Sequence, residues 1–242
     1  MNKFYILLLF VFLKSSLYAE RVGLLITATG RYVQWVKPYI DSARKHFCKG
    51  HEVTYYVFTD GEIEKSADVV KVFQKKLGWP FDTLLRYQFY LENEELLKME
   101  DYLFASDVDM LFVDDVGEEI FGEIVATLHP GFTDKRGSYE TRRSSKAYVK
   151  KNEGEHYFAG GFYGGRAENV LKMCKIVLDK IQSDLKRDII AVWHDESHWN
   201  RYCIDHPPTK ILSPSYCYPE SVTIPYKKKL VALDKNHHEV RQ

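Results

Sequence analysis

Cysteine is scarce in this chain: Cys48, Cys174, Cys203 and Cys217 are the only four in 242 residues, and all lie far apart. With no CxxC pair and no other metal-ligand spacing, a disulfide framework and a thiolate metal site are excluded. At most one bridge could form in an oxidising compartment, and buried free thiols are expected. An excess of one charge is also missing. Lys plus Arg and Asp plus Glu number 34 each, so no net field draws the chain to nucleic acid or to an anionic membrane. No Asn-x-Ser/Thr triplet marks N-glycosylation. The N-terminal apolar run covers only residues 4–13, whereas about 20 residues are needed to span a bilayer. Lys3 before it and Lys14-Ser15-Ser16-Leu17-Tyr18-Ala19 after it give residues 1–19 the layout of a secretory signal peptide cleaved near Ala19. A short uncleaved anchor is the alternative, and it would be the chain's one contact with a membrane. Such a signal implies a protein exported or membrane-associated, in a periplasm or secretory lumen. Without it the protein is cytoplasmic.

What remains is an ordinary globular composition, 45% apolar and 28% charged, long enough for one large α/β domain or two small ones. Aromatic residues are plentiful, with 17 Tyr and 14 Phe, a composition that fits a protein handling carbohydrate. Apolar runs at 22–27 (VGLLIT), 53–59 (VTYYVFT) and 69–73 predict three strands. Val33, Val36, Ile40, Ala43 and Phe47 follow helical spacing after the first, beyond an Ala28-Thr29-Gly30 turn. Pro80 and Asp82 open a second helix, with Leu85, Phe89 and Leu96 on one face. It leads into residues 102–112, YLFASDVDMLF, which read as a buried strand interrupted by Asp107 and Asp109. Strand, helix, strand, strand, helix, strand is the order of an α/β nucleotide-binding half.

In such sheets ligands bind beyond the carboxyl ends of the strands, so Thr27-Ala28-Thr29, Thr59-Asp60 and Asp107-Asp109 should meet at one crevice. Two carboxylates brought together cost free energy, which a divalent cation bridging to phosphate oxygens offsets. A solvated turn at a strand end accounts for the pair equally simply. The second half is less regular. Residues 133–156 predict a long loop, functional or mobile. Residues 157–165, YFAGGFYGG, admit either a ligand or a neighbouring strand close to the backbone. Val170, Cys174, Val177, Ile181 and Leu185 predict a long scaffold helix, followed by the unusual cluster Trp193-His194-Asp195-Glu196-Ser197 and a basic tail.

Taken in order, TATGRYV (27–33), YYVFTD (55–60), DVDM (107–110), TLHPGF (127–132), AGGFYGG (159–165), AVWHDESHWNRY (191–202), PTKILSPSY (208–216) and KNHHEVR (235–241) resemble glycosyltransferase family 6. This is the group of the blood group A and B transferases and the α-1,3-galactosyltransferases. The resemblance implies a GT-A fold with a Rossmann-like mixed sheet flanked by helices, in one catalytic domain over 20–242. Residues 20–115 would be its nucleotide-binding half, and 116–242 its acceptor-binding half and tail. It further implies a UDP-sugar donor, Mn2+ (with Mg2+ as the alternative), and transfer to O3 of a galactoside acceptor with retention of the α configuration.

By the same resemblance Asp107 and Asp109, with Val108 between them, hold metal and diphosphate. Thr27, Ala28, Thr29 and Tyr32 contact uridine, although relatives often carry bulkier residues in place of Thr27 and Thr29. Arg86 and Asp195 belong to the donor site, as do Ala159, Gly160 and Gly161, and Glu196 is the carboxylate on the β face of the donor sugar. His129, Ser138 and Trp193 meet the acceptor, and Lys235 and Arg241 close over the diphosphate. Where blood group enzymes have an acidic acceptor contact, this chain reads Cys217-Tyr218-Pro219-Glu220, so Glu220 stands in by a shift of one residue. Some bacterial relatives lack both aspartates and work without metal, so retention of the pair predicts metal dependence. Gly161 leaves room for an acetamido group, which predicts N-acetylgalactosamine ahead of galactose. The pair admits two other readings, a metal-dependent phosphohydrolase and a catalytically inactive glycan-binding module. The first usually needs further ligands, and the second would tolerate loss of Arg86 and Glu196.

Overall fold

The computed structural model describes residues 19–240. The expected signal segment therefore lies, but for Ala19, outside the described residues, as does Arg241. Among the described residues no helix is long and apolar enough to cross a membrane.

The three apolar runs of the first half form β1 (Arg21–Thr27), β2 (Glu52–Thr59) and β3 (Val69–Phe73), which pair in parallel. A short 3-10 turn follows β1, entered at Gly30, whose φ of +56° favours glycine. The helix expected from Val33 starts only at Val36, as α1 (Val36–His46), and buries Val36, Tyr39, Ile40 and Ala43 on one face of the sheet.

The second expected helix is broken into α2 (Phe81–Leu84), α3 (Arg86–Glu92) and α4 (Glu94–Leu97). The breaks fall at Leu85 and Asn93, and the Asn93 amide caps the Phe89 carbonyl at 2.8 Å. The break resets the helical phase, so Leu97 is buried and Leu96 points outward.

The Asp-Val-Asp stretch departs most from expectation. Its apolar run is two strands in two sheets: β4 (Tyr102–Asp107) and β5 (Met110–Phe112). β4 lies beside β1 in parallel and beside β7 (Phe158–Arg166) in antiparallel arrangement. With β6 (Ile124–Leu128) and β8 (Lys210–Leu212) the large sheet runs β3-β2-β1-β4-β7-β6-β8. The small sheet is β5-β10-β9, where β9 is Tyr218–Pro219 and β10 is Leu230–Ala232. Asp107 and Asp109 therefore sit at the seam between the sheets. Periodicity cannot register this, because both strands are apolar on either side of the turn.

The predicted scaffold helix is α5 (Ala167–Leu185), which packs with α3 and α6 (His194–Asp205) on the face opposite α1. The 133–156 segment has no helix or strand, yet it is pinned. Tyr139, Val149 and Tyr157 form a small core, and Ser145 Oγ donates to buried Asp184 at 2.6 Å. All four cysteines are free, as expected.

Candidate active site

Parallel pairing sets Thr27 level with Phe58 on one side and Asp107 on the other, so the three strand exits open together. Thr59 Oγ donates to the Ala28 carbonyl at 2.6 Å, and Asp60 accepts from Gly30 N–H at 2.7 Å, which fixes the turn that carries Ala28 and Thr29. Between the exits lies a cavity of ≈ 160 Å³ lined by Thr27, Thr29 and Tyr32, by Asp107, Val108 and Asp109, by Thr83 and Arg86, and by Lys235 and Val240 from the tail. Of the predicted donor-side residues, Thr27, Thr29, Tyr32, Arg86, Asp107, Val108, Asp109 and Lys235 line this one cavity.

Arg86 is the hub. Its buried guanidinium reaches Asp107 at 3.0 Å and Asp195 at 3.3 Å. Thr83, one turn earlier, accepts from it and donates to Asp195 at 3.0 Å. Burial alone would weaken the arginine's charge, but Asp195 and Asp107 outweigh it and raise its pKa. Burial raises the Asp195 carboxyl, against the pull of Arg86. Removing one partner of such a buried pair typically costs about 3–5 kcal/mol.

Asp195 and Glu196 both occupy the first turn of α6 but face different partners. Glu196 accepts from the Tyr157 hydroxyl and from Gly160 N–H, each at 2.8 Å. Burial pushes its carboxyl up to about 7, with Tyr157 and Gly160 acting against the shift. Asn200, one turn further on, clamps this end of α6 to β7. It accepts from Phe158 N–H at 2.8 Å and donates to the carbonyls of Phe158 at 2.8 Å and Glu196 at 2.9 Å.

The glycine-rich strand serves both roles that its sequence left open. A Cβ on Gly164 would lie 2.3 Å from the Leu103 carbonyl oxygen, so this glycine is required by strand packing. Gly160 and Gly161 face the crevice instead. Between the pairs Ala126↔Tyr163 and Leu128↔Phe158 the register shifts, and residues 159–162 stand opposite Thr127 alone. This bulge releases Gly160 N–H from the ladder for Glu196. Ala159 is buried at its start.

On the other side of Tyr157, Trp193 Nε1 donates to Ser138 Oγ at 2.8 Å, joining two predicted acceptor residues. His129 packs against Phe132 and Tyr157, with ring centroids 4.9 and 5.7 Å away. Its Nδ1 accepts from Gly131 N–H, and burial lowers its pKa to about 4, so the ring is neutral near pH 7. Glu220 is placed differently: its carboxylate accepts from Asp234 N–H at 2.8 Å, at the base of the tail.

Sequence reasoning missed Thr83, Tyr157, Asn200 and Cys217. Thr83 stands three residues before Arg86 and Asn200 four after Glu196, spacings that share a helix face and could have signalled both. Nothing in the sequence pointed to Tyr157 or Cys217. Cys217 Sγ, Met110 Sδ and Asp107 Oδ2 each lie 3.5 Å from where a Gly161 Cβ would stand.

Among the described residues no group of three His, Cys, Asp or Glu side chains could hold a metal by itself. Asp107 and Asp109 nevertheless present two hard oxygen donors at the cavity wall. That set suits Mn2+ or Mg2+, which commonly bind through one or two carboxylates with phosphates and waters completing the shell.

Paired carboxylates at a strand exit, beside a cavity holding Arg86 and Lys235, mark an enzyme that acts on a nucleotide-linked substrate. The mixed seven-stranded sheet flanked by helices is the GT-A type of glycosyltransferase fold. The chain belongs to glycosyltransferase family 6, whose profile matches residues 11–242. It is 37% identical over 237 residues to the histo-blood group ABO system transferase 1 of Rattus norvegicus, covering 91% of this chain and 68% of that protein. It is 35% identical over 237 residues to the globoside alpha-1,3-N-acetylgalactosaminyltransferase 1 of Gallus gallus, covering 91% and 69%. An O-antigen biosynthesis glycosyltransferase of Escherichia coli is 27% identical over 222 residues, covering 88% of this chain and 94% of that protein. These relatives favour the transferase reading over a phosphohydrolase or an inactive glycan-binding module.

Proposed function

We propose that the protein is a retaining glycosyltransferase. It moves N-acetylgalactosamine, or galactose, from a UDP-sugar to O3 of a β-galactoside, fucosylated or plain, and forms an α-1,3 linkage. The observation that carries this reading is the adjacency of two carboxylates of different character. Glu196 Oε2 accepts from Gly160 N–H at 2.8 Å, while Asp107, paired to Arg86, borders the space above Gly161. A sugar seated on the bulge would have its leaving phosphate toward Asp107 and Arg86 and its ring toward Glu196.

In the reaction the bond from the anomeric carbon to the β-phosphate oxygen breaks, leaving negative charge on UDP. Arg86 and Lys235 stabilise that charge as it develops. Asp107 and Asp109 would hold Mn2+ or Mg2+, which when bound supplies further charge stabilisation to the diphosphate. Thr27, Ala28, Thr29 and Tyr32 hold the uridine, and Val108 closes the cavity floor. The acceptor O3 gives its proton to the departing β-phosphate oxygen and bonds to the anomeric carbon. Retention requires either two inversions through Glu196 as nucleophile or same-face attack beside a Glu196 that stabilises the cationic centre. Trp193, Ser138 and His129 form the acceptor wall, Glu220 serves the acceptor from the base of the tail, where it accepts from Asp234 N–H, and Arg241 would assist Lys235 at the diphosphate. The catalytic domain spans 20–242, and residues 1–19 direct export or membrane attachment. The GalNAc preference is supported by the lack of a side chain at Gly161, beside Asp107, and by the similarity to a globoside alpha-1,3-N-acetylgalactosaminyltransferase.

The test is turnover of UDP-GalNAc and UDP-galactose by the purified full chain on a fucosylated and a plain β-galactoside, with Mn2+ and with chelator. Expected is metal-dependent transfer, with the new linkage identified as α-1,3 by NMR. Absence of both transfer and donor hydrolysis, with Asp109→Asn indistinguishable from wild type, would overturn the reading.

A further inference from the structure

Both aspartates of the Asp-Val-Asp turn already have cationic partners built into the protein. Asp107 has Arg86, and Asp109 has the Lys235 ammonium, which also lies 5.4 Å from the centre of the Tyr32 ring. The lysine is delivered by backbone geometry. β10 pairs antiparallel with β5, setting Ala232 opposite Met110, and Leu233 N–H then donates to the Asp109 carbonyl at 2.9 Å. Further along, Arg31 donates to the Glu239 carbonyl at 2.8 Å, and Val240 is buried against the cavity. Protein contacts alone thus seat the tail over the cavity. The pair is sheltered, with side-chain exposures of 17% for Lys235 and 6% for Asp109, so water screens it weakly.

We infer that Lys235 is the resident counter-ion of Asp109 and couples metal binding to nucleotide binding. This rests on reading Asp109 as a metal ligand. A divalent cation arriving alone finds one carboxylate held by Arg86 and the other by Lys235, and must displace the lysine. A diphosphate arriving with the cation gives the ammonium a second anion, so Lys235 transfers from Asp109 to phosphate while the cation takes the carboxylate. Charge is balanced before and after, and no buried carboxylate is left unpaired. Linkage then makes the effect reciprocal: UDP raises metal affinity by the same factor as metal raises UDP affinity. The tail lysine acts as a gate that keeps the site closed to free metal.

The experiment measures Mn2+ binding by calorimetry or by EPR of unbound Mn2+, without and with saturating UDP, for the wild type, Lys235→Met, Lys235→Arg and Lys228→Met. Lys235→Met should bind Mn2+ roughly tenfold more tightly than wild type without UDP, within the usual range of coupling factors. UDP should then improve its affinity by a smaller factor than it does for wild type. Lys235→Arg keeps the charge and should retain the wild-type pattern. Lys228→Met removes a charge elsewhere, over the Tyr218 ring, and should change nothing. Unchanged or weaker Mn2+ affinity in a folded Lys235→Met overturns the inference, provided wild type binds Mn2+ with UDP. Failure of wild type to bind Mn2+ even with UDP overturns the metal reading itself, and this inference with it.

Discussion

Gly161→Ala isolates donor choice from folding. A Cβ at this position would meet Asp107 Oδ2, Cys217 Sγ and Met110 Sδ at 3.5 Å each, ordinary contact distances, and the backbone imposes no left-handed φ. The substitution should therefore leave stability within about 0.5 kcal/mol of wild type, or a melting shift of no more than about 2 °C. On the proposed reading its methyl group would meet the donor's C2 substituent. A pocket that gains or loses one methyl group discriminates by about 1–3 kcal/mol, or roughly 10–200-fold. The ratio of kcat/KM for UDP-GalNAc to that for UDP-galactose should fall by at least about tenfold. Gly164→Ala, three residues along the same strand, is the contrasting case. Its Cβ would stand 2.3 Å from a backbone oxygen that cannot move aside. That variant should lose more than about 3 kcal/mol of stability without a specific change in donor ratio. The assay is paired steady-state kinetics on both donors, with melting curves for all three proteins. A folded Gly161→Ala with an unchanged ratio would refute the steric argument.

Three further outcomes follow from the same geometry. Burial raises the Glu196 carboxyl from 4.5 to about 7, so the folded state holds a proton that the unfolded state has released. Stability should fall by roughly 3 kcal/mol as pH rises from about 4.5 to 7, while kcat/KM rises through the same window. Glu196→Gln should flatten the stability profile and cut kcat far more than donor affinity, and a near wild-type rate would remove Glu196 from the mechanism. Arg86→Ala leaves Asp107 and buried Asp195 without their cation and should cost about 3–5 kcal/mol in denaturant unfolding; a loss under 1 kcal/mol would mean the pair is not buried in solution. Cys217, unlike the other three cysteines, is not fully buried, and burial beside Asp107 and Glu196 pushes its thiol up to about 12. Iodoacetamide at neutral pH should therefore label it slowly and alone, and UDP-sugar with Mn2+ should protect it, as peptide mapping would reveal.

Much of the first half was legible because its signals are local. β1, β2 and β3 are unbroken apolar runs, and each exit carries a residue that a parallel sheet must deliver to the same edge. Residues 102–112 read as one strand because hydrophobicity records burial, whereas sheet membership depends on a partner more than a hundred residues away, here β10. The pattern after Pro80 reads as one helix because its second break, at Asn93, is made by a side-chain bond to the Phe89 carbonyl, which periodicity does not see. The glycines of β7 could not be sorted from sequence either. Gly164 and Gly161 differ only in what stands across from them, Leu103 in one case and the crevice in the other. Glu220 illustrates another limit: the resemblance names it for the acceptor, and no local signal reveals that its carboxylate also accepts from Asp234 N–H at the base of the tail.

The bulge in β7 explains how one short stretch joins the two halves of the site. β4 ends at Asp107, and its last partner on β7 is Phe162, paired with Ser106. On its other side β7 slips against β6 over residues 159–162. The strand is therefore free of its ladder over Ala159-Gly160-Gly161, beside the exit that carries Asp107. Asn200 presses α6 onto this freed segment, which brings Asp195 and Glu196 to the same place from the opposite direction. The two acids then part. Asp195 meets Arg86 and so joins the charge network around Asp107, whereas Glu196 accepts from neutral donors, Tyr157 and Gly160. Adjacent carboxylates on one helical turn thereby acquire different electrostatics. Asp195 fixes the arginine that pairs with Asp107, and Glu196 keeps a proton affinity near neutrality.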